Sequence, residues 1–115
     1  MLTTGTPQSP EIEAKVNEVL TLLQQPKPGG AIHYLELASK KFRAIARQAK
    51  NFDIVRHDRP YGAGDILILQ ESPHSHEIYI SRVRRIVPSK VINVARGWCA
   101  LQLEAICYTN DQPLR

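Results

Sequence analysis

A chain of 115 residues with 43% hydrophobic and 23% charged side chains has the composition of one globular domain. That excludes wholesale disorder, and no apolar run approaches the ~18 residues of a membrane helix. The formal charge of +4 is modest, and Met1 to Pro10 has neither the positive charge nor the apolar stretch of a secretory signal, so a cytoplasmic protein is expected.

Residues 1–8 are small and polar and read as a frayed end. Ser9-Pro10 reads as an N-cap followed by an N1 proline, with Glu11 and Glu13 in the first turn where the helix dipole favours acids. Ile12, Val16, Val19, Leu20 and Leu23 then recur at helical spacing and make an amphipathic stripe. The helix stops before Pro26-Lys27-Pro28-Gly29-Gly30. Its stripe needs a partner, either this domain or a second copy of the chain in a homodimer.

Ala31 to Ala38 alternates as a strand, with Ile32, Tyr34 and Glu36 on one side and His33, Leu35 and Leu37 on the other. Ser39 begins a second helix, apolar through Phe42, Ile45, Ala46 and Ala49, with Lys40, Arg43, Arg47 and Lys50 on the other flank. Phe52 to Arg56 reads as a short strand, His57 to Gly64 as a turn-rich loop and Asp65 to Gln70 as a buried strand. Gly62 and Gly64 serve the loop's tight backbone and form no phosphate-loop motif. From His76 to Val87 the apolar phase slips between Ile78/Ile80 and Val83/Val87, which predicts a bulge near Ser81–Arg82. Pro88 to Gly97 is a loop with room for one helical turn, and Ala100 to Tyr108 is the last strand. The elements predict an α+β fold of about five strands in a curved or barrel-like sheet. Residues 1–30 form a tail, helix and linker, 31–109 the domain, and 110–115 a C-terminal tail.

Cys99 and Cys107, if their segment is extended, share a face about 26 Å apart. That is too far for a disulfide. His33, His57, His74 and His76 do not fall at zinc-ligand spacing with them, so no metal or cofactor is expected. Charge is distributed in blocks. Between 40 and 59, Lys40, Lys41, Arg43, Arg47, Lys50, Arg56 and Arg59 face only Asp53 and Asp58, while Arg82, Arg84, Arg85, Lys90 and Arg96 meet no acid between 82 and 96. An acidic stretch, with Asp65, Glu71 and Glu77, lies between them. Two such blocks folded together attract phosphates.

Several residues match one family pattern: Ile32-His33-Tyr34-Leu35-Glu36-Leu37, Phe42, Lys50-Asn51-Phe52-Asp53-Ile54, Asp58-Arg59 and Gly64-Asp65-Ile66-Leu67-Ile68-Leu69-Gln70-Glu71. The chain resembles the DUF3850 family of the ASCH group over about residues 31–106, with Val83 and Gly97-Trp98-Cys99-Ala100-Leu101 fitting the later strands. The resemblance implies a PUA-like pseudo-β-barrel with one packed helix, to which this chain adds an N-terminal helix. It further implies a cleft beside the packed helix, in a superfamily associated with RNA binding and nucleotide chemistry. Of the ASCH pattern Gly-x-Lys-x-x-(Glu/Thr)-x-Arg, Lys50 and Asp53 are present, while Gln48 and Val55 stand at the Gly and Arg positions and Arg56 is one residue late.

The first expectation is therefore RNA or another nucleotide-containing ligand in a basic cleft formed by His33, Lys40, Arg43, Arg47, Lys50, Arg56, Arg59, Arg82 and Arg84. Tyr61, Tyr79 and Trp98 are the aromatics available to stack bases, with Trp98 at the cleft lip or in the core. His33 alternatively reads as a hydrogen-bonded wall residue, and Asp58-Arg59 as a clamp on the loop. A second expectation is an amidohydrolase acting on modified nucleosides, with Lys50 and Asp53 paired across the turn and Glu71 as a second carboxylate. A third is a protein-interaction module working through the N-terminal helix.

Overall fold

The computed structural model describes residues 2–47, 51–72 and 77–109. Its elements are β1 (Thr3–Thr4), α1 (Pro10–Leu22), β2 (Ile32–Ala38), α2 (Ser39–Ala46), β3 (Phe52–Arg56), β4 (Ile66–Ser72), β5 (Ile78–Pro88), α3 (Ser89–Ile92) and β6 (Trp98–Thr109). The strands form one sheet in the order β1-β2-β4-β5-β6-β3. β2 and β4 run parallel, joined through α2 and β3, while β4, β5, β6 and β3 pair antiparallel. The sheet curls into a half-barrel, an α+β fold.

Alternation assigns the two faces of the sheet to different cores. Leu67 and Leu69 of β4 join Phe42 and Ile45 of α2, Val83, Cys99, Leu101 and Leu103 in one cluster. Ile66 and Ile68 point the other way and meet Ile12, Val16 and Leu20 of α1. A 13-residue helix is marginal alone, and burying these three side chains contributes about 1.5–3 kcal/mol each. The Ser9 hydroxyl accepts from the Ile12 amide at 3.2 Å and fixes the start of α1. The α1 stripe is thus covered by the chain's own sheet, leaving Leu22 and Leu23 exposed at its end.

Three expectations change. The N-terminal residues are not frayed, because Thr3 and Thr4 pair in parallel with Ile32 and His33 and add a sixth strand. Gly5 follows with φ +73°, and a Cβ there would lie 2.1 Å from the Tyr34 carbonyl oxygen, so only glycine passes this crossing. The cysteines do not share a face: Cys99 lies in the α2-side core, while Cys107 packs on the α1 side. Ile80 pairs with Cys107 but Ser81 with Ala105, so a bulge at Ile106 reverses the alternation between them. Tyr61 and Tyr79 are core residues rather than exposed stacking platforms.

Candidate functional site

Hydrogen bonding along the first strands explains several conspicuous residues. His33 is fully buried, its Nε2 2.7 Å from Asp65 Oδ2 and its Nδ1 2.7 Å from Thr4 Oγ1. Asp65 also accepts from the Ala31 amide at 3.0 Å and the Gly62 amide at 2.8 Å, closing the loop ahead of β4. Tyr61 stands edge-on to the His33 ring. Arg59 donates to the Tyr34 carbonyl at 2.5 Å, where β2 has run beyond its pairing with β1. Gln70 accepts from the Gln8 amide at 2.7 Å and donates to the Thr6 carbonyl at 3.0 Å. His33, Asp65, Arg59 and Gln70 together bind the N-terminal segment and the loop to the sheet.

The basic flank of α2 meets acids on the neighbouring strands. Lys41 lies 2.9 Å from Asp53, Arg43 3.4 Å from Glu71, and Arg47 2.8 Å from Glu77. Arg47 also donates to the Tyr108 hydroxyl, and its hydrogen bonds to Tyr108 and Glu77 raise its pKa. Lys40 is exposed on the same helix. Lys50, the expected partner of Asp53, lies outside the described residues, as do His74 and His76. Asp53 is buried on the inward side of β3 with Lys41 beside it, while Glu71 sits at the end of β4 with Arg43. Arg82 and Arg84 share Glu104 across the β5–β6 ladder.

β2 and β3 lie on opposite sides of the sheet order, and the curl brings them to one seam. There Leu35 and Leu37 of β2 face Ile54, Val55 and Arg56 of β3 across a cavity of about 210 Å³, lined also by Lys41, Asp58, Arg59, Tyr61 and Trp98. The Arg56 guanidinium lies over the Trp98 ring at 5.9 Å, and among the described residues it has no carboxylate partner. Trp98, 38% exposed, forms the lip. A smaller hollow of about 120 Å³ continues along the seam beside Lys41, Ile45, Phe52 and Asp53.

A larger hollow, about 620 Å³, opens at the Pro26–Gly30 loop, but among the described residues lining it the one acid is Asp65, whose oxygens are taken by His33, Ala31 and Gly62. Size therefore does not coincide with available chemistry. Among the described residues no three His, Cys, Asp or Glu side chains cluster as a metal site, and no helix is long and apolar enough to cross a membrane.

The fold and seam define an α+β half-barrel domain with a small cationic cleft under an aromatic lip. A family profile described as Domain of unknown function (DUF3850) matches residues 32–103, and the chain belongs to that family. The match takes in β2 through the first half of β6 and excludes α1 and β1. No curated protein matches the chain significantly.

Proposed function

We propose that this domain binds a nucleotide-containing ligand, RNA included, with one base and its phosphate held in the β2–β3 seam. The observation carrying this reading is Arg56, with no carboxylate partner among the described residues, at a cavity lipped by Trp98 that Lys41 and Arg59 also line. The indole presents a flat apolar ring to a base, and the Arg56 guanidinium offers paired donors to phosphate. At about 210 Å³ the cavity is below the usual size of a drug-like pocket and suits a single ring system. Its resemblance to the ASCH group, with that group's association with RNA and nucleotides, points the same way, and a cytoplasmic setting fits it. Arg43 and Arg47 contribute less in this reading, because Glu71 and Glu77 already neutralise them.

Nucleotide monophosphates and short RNA titrated against the isotope-labelled protein test it. Shifts centred on the Trp98 indole and the Arg56 side chain are expected, with binding lost in Arg56→Glu. Saturating nucleotide without such shifts overturns the proposal.

A second reading, hydrolysis of a modified nucleoside, draws on the Lys41–Asp53 pair beside the same seam. Lys41 donates to Asp53 and to the Ile54 carbonyl at 2.9 Å, so its ammonium is already engaged. That arrangement favours positioning an anion over nucleophilic attack, and Lys41→Ala would abolish turnover only if this second reading holds.

A further inference from the structure

Beyond α1, the outward side of β3 and β6 carries exposed side chains beside the short helix α3. On β3, Asp53 and Val55 point into the core, which turns Phe52, Ile54 and Arg56 outward. Phe52 and Ile54 join Arg85, Val87, Ile92 and Gln102 along a groove of about 380 Å³. Phe52 is 43% exposed and Trp98 38%. The ladder pairs Phe52 with Gln102 and Arg56 with Trp98, so the two rings stand four positions apart along β3, about 13 Å.

Among the described residues lining the groove, Arg85 is the charged one. From Arg82 to Leu103 the chain holds five Lys or Arg residues and no acid, and Glu104 at its edge is held by Arg82 and Arg84. Arg85 lines the groove with no ion-pair partner among the described residues. Ile54 of β3 borders both the groove and the seam cavity, so that edge strand is the ridge between them.

We infer that the open face of β3, β6 and β5 is a platform for single-stranded nucleic acid. Bases stack on Phe52 and Trp98, phosphates run along Arg85 and Arg56, and the strand crosses β3 so that one nucleotide enters the seam. Exposed rings spaced along a cationic sheet are the chemistry that unpaired bases require and that a duplex, with its bases stacked inside, cannot use. The inference rests on the nucleotide-binding reading for its ligand class and for Trp98 and Arg56, and extends that surface along β3 to Phe52 and Arg85.

Fluorescence anisotropy of labelled single-stranded RNA of about eight nucleotides, a matching duplex and AMP titrated by NMR test both surfaces. Wild type is expected to prefer the single strand to the duplex. Phe52→Ala should weaken strand binding about tenfold, with Phe52→Trp restoring it, and Arg85→Gln should reduce the salt slope by about 0.7. AMP binding should be unchanged in Arg85→Gln. Strand affinity indifferent to Phe52→Ala and Arg85→Gln, or equal affinity for duplex, overturns the platform. AMP binding without strand binding also overturns it while leaving the seam reading intact. Strand binding that depends on Phe52, in a protein that ignores AMP, supports the platform and overturns the seam.

Discussion

His33 Nε2 and Asp65 Oδ2 lie 2.7 Å apart in the interior, joining the first long strand to the loop that precedes the second. Neither residue is available to a ligand in this arrangement. The carboxylate takes the ring N–H and two backbone amides, and the ring's other nitrogen meets Thr4 of the N-terminal strand. His33→Ala leaves a buried carboxylate short of a partner and should cost about 2–4 kcal/mol, measured by urea unfolding. An unchanged midpoint would show that Asp65 is satisfied by the amides alone.

Gly5→Ala tests the N-terminal strap independently. The added Cβ meets the Tyr34 carbonyl and the residue has φ +73°, so β1 must lift from β2. A loss of about 2 kcal/mol or more is expected, with faster amide exchange at Ile32, whose N–H donates to the Leu2 carbonyl.

Alkaline stability follows from the tyrosines. Burial raises the pKa of Tyr34, Tyr61 and Tyr79, with Glu13 adding to the effect at Tyr34. The unfolded chain then releases phenolic protons at about pH 10 while the folded chain still holds them. Stability from this source is complete below that pH and falls as pH rises through the folded values. Thermal unfolding between pH 8 and 11 should show a declining Tm, and Tyr79→Phe should flatten the decline.

The two thiols should differ in reactivity. Cys99 is fully buried, and burial, with a smaller contribution from Asp58, raises its pKa. Cys107 is half-buried on the other face. Iodoacetamide under native conditions should modify Cys107 first, with Cys99 reacting only on unfolding, as read by peptide mass spectrometry. Equal rates would contradict the bulge at Ile106 as the feature that separates them.

Charge changes on α2 and β3 separate a solvated basic helix from a cationic cleft. Arg43→Gln with Arg47→Gln removes cations already facing Glu71 and Glu77, whereas Arg56→Gln removes one that lies over Trp98 with no carboxylate partner among the described residues. RNA affinity should fall more for the single substitution than for the double one. The reverse order would return the binding surface to the helix.

Periodicity in the sequence was enough to locate both long helices and the five longer strands, because alternation and helical spacing are local properties of side-chain order. The extra residue of β5 is Arg84, between Val83 and Arg85, rather than at Ser81–Arg82, because Ile80 and Val83 face different cores without any slip. The residues between Ile32 and Glu71 also carried the family. The face each strand buries was less legible. In β3, hydropathy alone favours burying Phe52 and Ile54, yet Asp53 goes inward because Lys41 on α2 meets it, and Val55 fills the core beside it.

The partners of the α2 cations, the pairing of Thr3 and Thr4 with β2, and the separation of the cysteines depend on contacts between distant segments. No short-range pattern encodes them. The sequence by itself determined the elements, the family and the supply of cations. The tertiary structure decided which cations face acids and which face solvent, because the curl of the sheet sets the distances on which charge pairing depends.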